Sequence, residues 1–161
     1  VVCCCPTHRY VGPVPTWPRM IALLTGLLRV AGAGLILLAI VHIPMARHLK
    51  WGEEARRMSL TNASIFHVHT FFICVVLVLM GAPALLAPQI FLDRTPAGLW
   101  MTWSFAVFWA LRMLVQWFVY PSAMWRGKRA ETIMHVAFSF VWLALTLLFA
   151  VCGLVQTGQL Q

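Results

Sequence analysis

The chain has 161 residues, of which 61% are hydrophobic and only 10% charged, and its formal charge is +8. Soluble domains run nearer half apolar and about a quarter charged, and one water-facing core could not hide this much apolar side chain. The composition excludes an ordinary soluble domain and predicts an integral membrane protein. It does not indicate nucleic acid as a partner. The basic residues fall in short loops between apolar runs, where positive charge sets topology, and no basic stripe stands free of the membrane.

Residues 1–19 hold Pro6, Pro13, Pro15 and Pro18 with no apolar run, which predicts an irregular tail. Nothing there resembles a signal peptide, and Met20, directly before the first apolar run, is a position at which a native chain could begin. Cys3, Cys4 and Cys5 are adjacent, an arrangement that rarely meets disulfide geometry. The first span covers 20–43 and is closed by Pro44; its Gly26, Gly32 and Gly34 offer a small-residue surface for close helix packing and for a homo-oligomer or larger membrane complex. The second span covers 65–86, with Thr61, Asn62 and Ser64 placed to cap its start. The third covers 97–120 and stops at Pro121. A basic connector, MWRGKRAE, leads to the fourth span, 132–155, and residues 157–161 form a polar tail.

No stretch alternates like a strand, so the expected fold is all-α: a four-helix transmembrane bundle formed by residues 20–156. Four spans place both termini on one side. Arg47, Lys50, Arg56, Arg57, Arg126, Lys128 and Arg129 fall on the face of loops one and three, against Arg9, Arg19 and Arg94 opposite. That asymmetry predicts cytoplasmic loops one and three, with non-cytoplasmic termini.

Residues 42–69 carry four of the six histidines, and His135 lies one turn into span four. His42, His67, His69 and His135 therefore fall at similar depth near one face. His67 and His69 cannot share a helix face, since two residues rotate it by about 200°; which of them turns inward is open. Neutral imidazoles on facing helices bind haem iron or a transition metal, which makes His42, His69 and His135 candidate metal ligands. No HExxH or CxxC motif accompanies them. Arg112 lies about 12 Å inside span three, counted from Tyr120 at 1.5 Å per residue. A charge at that depth costs about 2.5–3.5 kcal/mol on insertion scales and needs a partner. Gln116 and Tyr120 follow it on the same face, Glu131 lies within reach of a folded-in loop, and a haem propionate or the anionic group of a lipidic ligand would also serve.

The passages LTNASIFHVHTFF, LRMLVQWFVYPSAMWRGKRAETIMHVAF and FVWLALT resemble a group of uncharacterised small four-span bacterial integral membrane proteins. The resemblance spans most of residues 42–150 and implies a multi-pass protein of the bacterial inner (cytoplasmic) membrane, without implying an activity. The topology is also similar to the eicosanoid and glutathione membrane family. Of that family's Arg-x-x-x-Asn-x-x-Glu pattern Asn62 is present, but Ile65 stands in place of the glutamate. Three readings of function stay open. The first is a redox or metal protein, with haem b or a metal on His42, His135 and one of His67 and His69, Arg112 holding a propionate and Gln116, Tyr120 and Glu131 supporting. The second is a non-enzymatic membrane subunit or lipid-binding module. The third is a lipid- or glutathione-type transferase.

Overall fold

The structure, a computed structural model, describes residues 16–48 and 50–160. In chain order these form α1 (Thr16–His48), a short α2 (Trp51–Arg56), α3 (Leu60–Leu86), a 3-10 turn (Pro88–Phe91), α4 (Pro96–Phe118), a second 3-10 turn (Ser122–Met124) and α5 (Arg129–Thr157). No strand occurs among the described residues. Four of the helices are long and apolar enough to cross a membrane. Residues 1–15, with the three adjacent cysteines, lie outside the described residues.

Helices α1, α3 and α5 outrun the spans read from sequence, while α4 stops at Phe118, two residues before the expected end. Pro18 sits in the first turn of α1, where its missing N–H has no intrahelical partner to lose. Pro44 and Pro83 lie inside α1 and α3, close to their ends, and each helix continues beyond its proline. In apolar surroundings one lost backbone bond is less costly than the several that a broken helix would leave open. The start of α3 also moves. Its cap is Ser59, whose Oγ accepts from Asn62 N at 3.3 Å. Thr61, Asn62 and Ser64 lie within the helix, and Ser64 Oγ donates to Leu60 O. Thr95 caps α4 by accepting from Gly98 N, with Pro96 in the first turn behind it. Gly158, in the left-handed region at φ 80°, closes α5 and lets Gln159 N reach Leu154 O.

The chain folds as two helical hairpins, α1 against α3 and α4 against α5. Gly32 and Gly81 make the first crossing close: a Cβ on Gly32 would stand 2.5 Å from Leu85 N and 2.6 Å from Gly81 O. Gly26 and Gly34 meet nothing within 4 Å, so of the three glycines expected to form a packing surface only Gly32 packs against the described residues. In the second hairpin Gly153 admits the Trp103 ring. The hairpins join at one end, where the Pro88–Phe91 turn touches all four long helices. Phe91 is fully buried there, with the rings of Phe105 and Phe149 at 5.3 and 5.2 Å. Gln156 Nε2 donates to the carbonyls of Ile90 and Asp93, both at 3.0 Å, and ties the turn to the end of α5. Away from this junction the outer faces are apolar and exposed, as at Leu37, Ile40, Phe71, Leu79 and Phe140.

Candidate functional site

Between the hairpins, on the side away from the Pro88–Phe91 junction, lies a cavity of about 830 Å³. That is within the 300–1,000 Å³ typical of small-ligand sites. Every long helix contributes to its wall, and Trp51 of α2 stands at its rim. The wall is mostly apolar, with Leu38 and Met45 from α1, Phe72 and Ile73 from α3, Phe108 from α4 and Phe138 from α5. Among the described residues its polar side chains are His42, His69, Arg112 and Tyr120, besides the indoles of Trp51, Trp109 and Trp142, and no acidic residue lines it.

Arg112 is half-buried in this wall and is, among the described residues, its only cation apart from the histidines. Its Cζ lies 5.0 Å from the centroid of the Trp142 ring and 5.7 Å from that of Tyr120. Such contacts over aromatic faces favour a partly desolvated guanidinium. Trp142 is itself stacked on Trp109, at 5.1 Å and 8°, and on Phe138, at 5.5 Å and 16°. The indole N–H groups of Trp109 and Trp142 are buried without a partner among the described residues. Arg112 Nη1 donates to Gln116 Oε1 at 3.1 Å, one helical turn along α4. Among the described residues no carboxylate pairs with it: the ion pairs are Lys50–Glu53 and Arg57–Glu54, both in the first loop. Glu131 stays exposed at the start of α5.

The network continues from Gln116 to α5, where its Nε2 lies 2.8 Å from His135 Nδ1. Because a guanidinium only donates, the Gln116 atom facing Arg112 is the oxygen. The amide NH2 then faces His135 and donates to Nδ1, which leaves the ring proton on Nε2. Trp125, from the connector before α5, stacks on the His135 ring at 3.8 Å and 12°. His42 is held in the opposite sense. Its Nδ1 donates to Leu38 O at 2.7 Å, so Nε2 carries a free lone pair.

The histidines thus part company. His42 and His69 line the cavity; His67 is exposed on α3 with its ring edge-on to Phe66, and His135 is not in the wall. Among the described residues no group of three His, Cys, Asp or Glu side chains comes together, so the expected set of His42, His69 and His135 is not assembled. The physical reason is the Gln116 amide. A metal bonds at a ring lone pair, and the lone pair of His135 is taken by that amide. The hydroxyls of α5 bond to their own helix: Ser139 Oγ donates to His135 O and Thr146 Oγ1 to Trp142 O. Trp125 and Trp51 are site residues that the sequence pattern did not single out. Each lies in a polar loop, and the only available signal was a large aromatic residue among charges. No family model, curated protein or solved structure matches this chain.

Proposed function

We propose that the chain is an integral membrane protein whose inter-hairpin cavity holds an amphipathic ligand with an anionic head group. The single observation that carries this reading is Arg112, a cation in the wall of an apolar cavity with no carboxylate beside it. The stacked Trp109, Trp142 and Phe138 rings supply an apolar wall for the rest of the ligand. The apolar outer faces suit lipid, and the basic loops one and three favour a cytoplasmic side for that end of the molecule by the positive-inside rule. A bacterial inner-membrane location is part of the same proposal.

The test is to purify the full chain in a mild detergent and identify the bound lipid by mass spectrometry. Wild type is expected to retain an anionic amphiphile. Arg112→Gln is expected to lose it by about tenfold or more, since hydrogen bonds to charged groups contribute about 1.5–3 kcal/mol. Equal retention by the variant would sink the proposal.

A second reading, haem or a metal, is favoured by His42, whose Nδ1 hydrogen bond leaves Nε2 as a ligating atom in a cavity that His69 also lines. An absorption spectrum before and after dithionite separates the two: a Soret band that shifts on reduction establishes haem, and His42→Ala should then abolish it.

A further inference from the structure

We infer that Gln116 and His135 are positioning residues that set Arg112 as a fork for an oxyanion, taken edge-on as a carboxylate or a phosphate monoester at the end of a long apolar chain. This rests on the reading of the cavity as an amphiphile site.

The guanidinium is planar and carries five N–H donors around its edge. Trp142 and Tyr120 hold it through their faces, contacts that use none of those donors as hydrogen bonds. Gln116 takes one, from Nη1, and the others have no partner among the described residues. A free edge of this kind matches the two oxygens of a carboxylate or a phosphate in parallel hydrogen bonds, a geometry that fixes orientation as well as strength. A neutral alcohol cannot return that charge. An amine would meet the cation with no acidic residue in the wall to balance it.

Orientation is what Gln116 and His135 add. Gln116 is buried, 6% exposed, and among the described residues its amide makes the one side-chain hydrogen bond between α4 and α5. An amide can turn either end toward Arg112, and only the oxygen end holds a guanidinium. His135 Nδ1 removes the ambiguity by accepting from Nε2 at 2.8 Å, so the oxygen is left facing Arg112. The His135 ring is itself clamped by the Trp125 indole, and Thr132 Oγ1 donates to the Trp125 carbonyl at 2.8 Å. Without an acceptor at position 135, the buried NH2 loses its partner and can swing toward Arg112. The fork then loses its support on that side.

Titration calorimetry on the detergent-solubilised full chain tests this with four probes sharing one tail: oleate, oleyl phosphate, oleyl alcohol and oleylamine. At least one of the two oxyanions should bind about once per chain, at least about tenfold tighter than the alcohol or the amine. The tighter of the two names the head group. Arg112→Gln should reduce it to the level of the alcohol. His135→Leu removes the acceptor and should weaken the oxyanion by about fivefold or more, whereas His135→Asn, which returns an oxygen near the position of Nδ1, should stay within about twofold of wild type. Nitrogen-15 NMR of the histidine side chains should show His135, when neutral, with its proton on Nε2.

Alcohol or amine binding as tightly as both oxyanions overturns the fork. Oxyanion binding by His135→Leu at the wild-type level, an equal loss in His135→Asn, or a proton on Nδ1 overturns the positioning role and leaves the amphiphile site standing. No binding of any probe by wild type removes the site itself, and the positioning role with it.

Discussion

A guanidinium within a long apolar helix needs something to satisfy it, and here the protein supplies an amide and two aromatic faces rather than an acid. Most other polar side chains on these helices are satisfied locally: Thr25, Thr70, Thr102, Ser139 and Thr146 each donate to the carbonyl four residues back. Gln116 and Gln156 differ, because each reaches another element. Gln156 is 5% exposed and satisfies two carbonyls of the 88–95 segment at once. Gln156→Leu should therefore cost about 1–3 kcal/mol, the price of leaving buried acceptors unpaired. Thermal unfolding in detergent measures it, with exposed Gln159→Leu as the neutral control. The Arg112–Gln116 pair was legible in the sequence because four residues make one helical turn. The Gln116–His135 bond was not, since it depends on how α4 and α5 slide past one another, and nothing in either helix alone fixes that register.

At the level of elements, hydropathy located the four long helices, and length and apolarity sufficed for that. The end of α1 was misplaced because Pro44 was read as a stop, whereas α3 ends at Leu86 as expected and α4 ends before Pro121. A stop signal in water is a weaker one where every free backbone group must be satisfied within the helix. Glycine spacing alone likewise could not say which glycine meets a neighbour. Gly32 does, against the backbone of α3, while Gly34 faces open space. Gly32→Val must push α1 and α3 apart and should destabilise the protein by about 1–3 kcal/mol, the usual range for overpacking. Gly34→Val should be close to neutral in the same unfolding assay. Similar losses in both variants would mean that α1 packs through a wider face, on an outer surface as well as against α3.

For the whole molecule, the consequence of two hairpins joined at one end is a cavity whose shape depends on that joint. The Pro88–Phe91 turn reaches all four long helices, while the half of the bundle nearer Trp51 and Trp125 is divided by the cavity. A joint of this kind behaves as a hinge when the contacts beyond it are few. Phe91, fully buried against Phe105 and Phe149, is its apolar centre, and Phe91→Ala should cost about 3–5 kcal/mol. The motion itself is read by pulsed electron spin resonance, with one label pair at Ser64 on α3 and Val119 at the end of α4, and a second at Leu86 and Ala97 beside the joint. All four positions are exposed. The pair at the cavity end should give the broader distance distribution, and it should narrow when an anionic amphiphile fills the cavity and bridges Arg112 to the apolar wall. The pair beside the joint should be narrow throughout, because Gln156 and Phe91 fix that end with or without ligand. Equal widths at both ends would mean that the hairpins move as one body, and the cavity would then be a preformed slot that admits its ligand without opening.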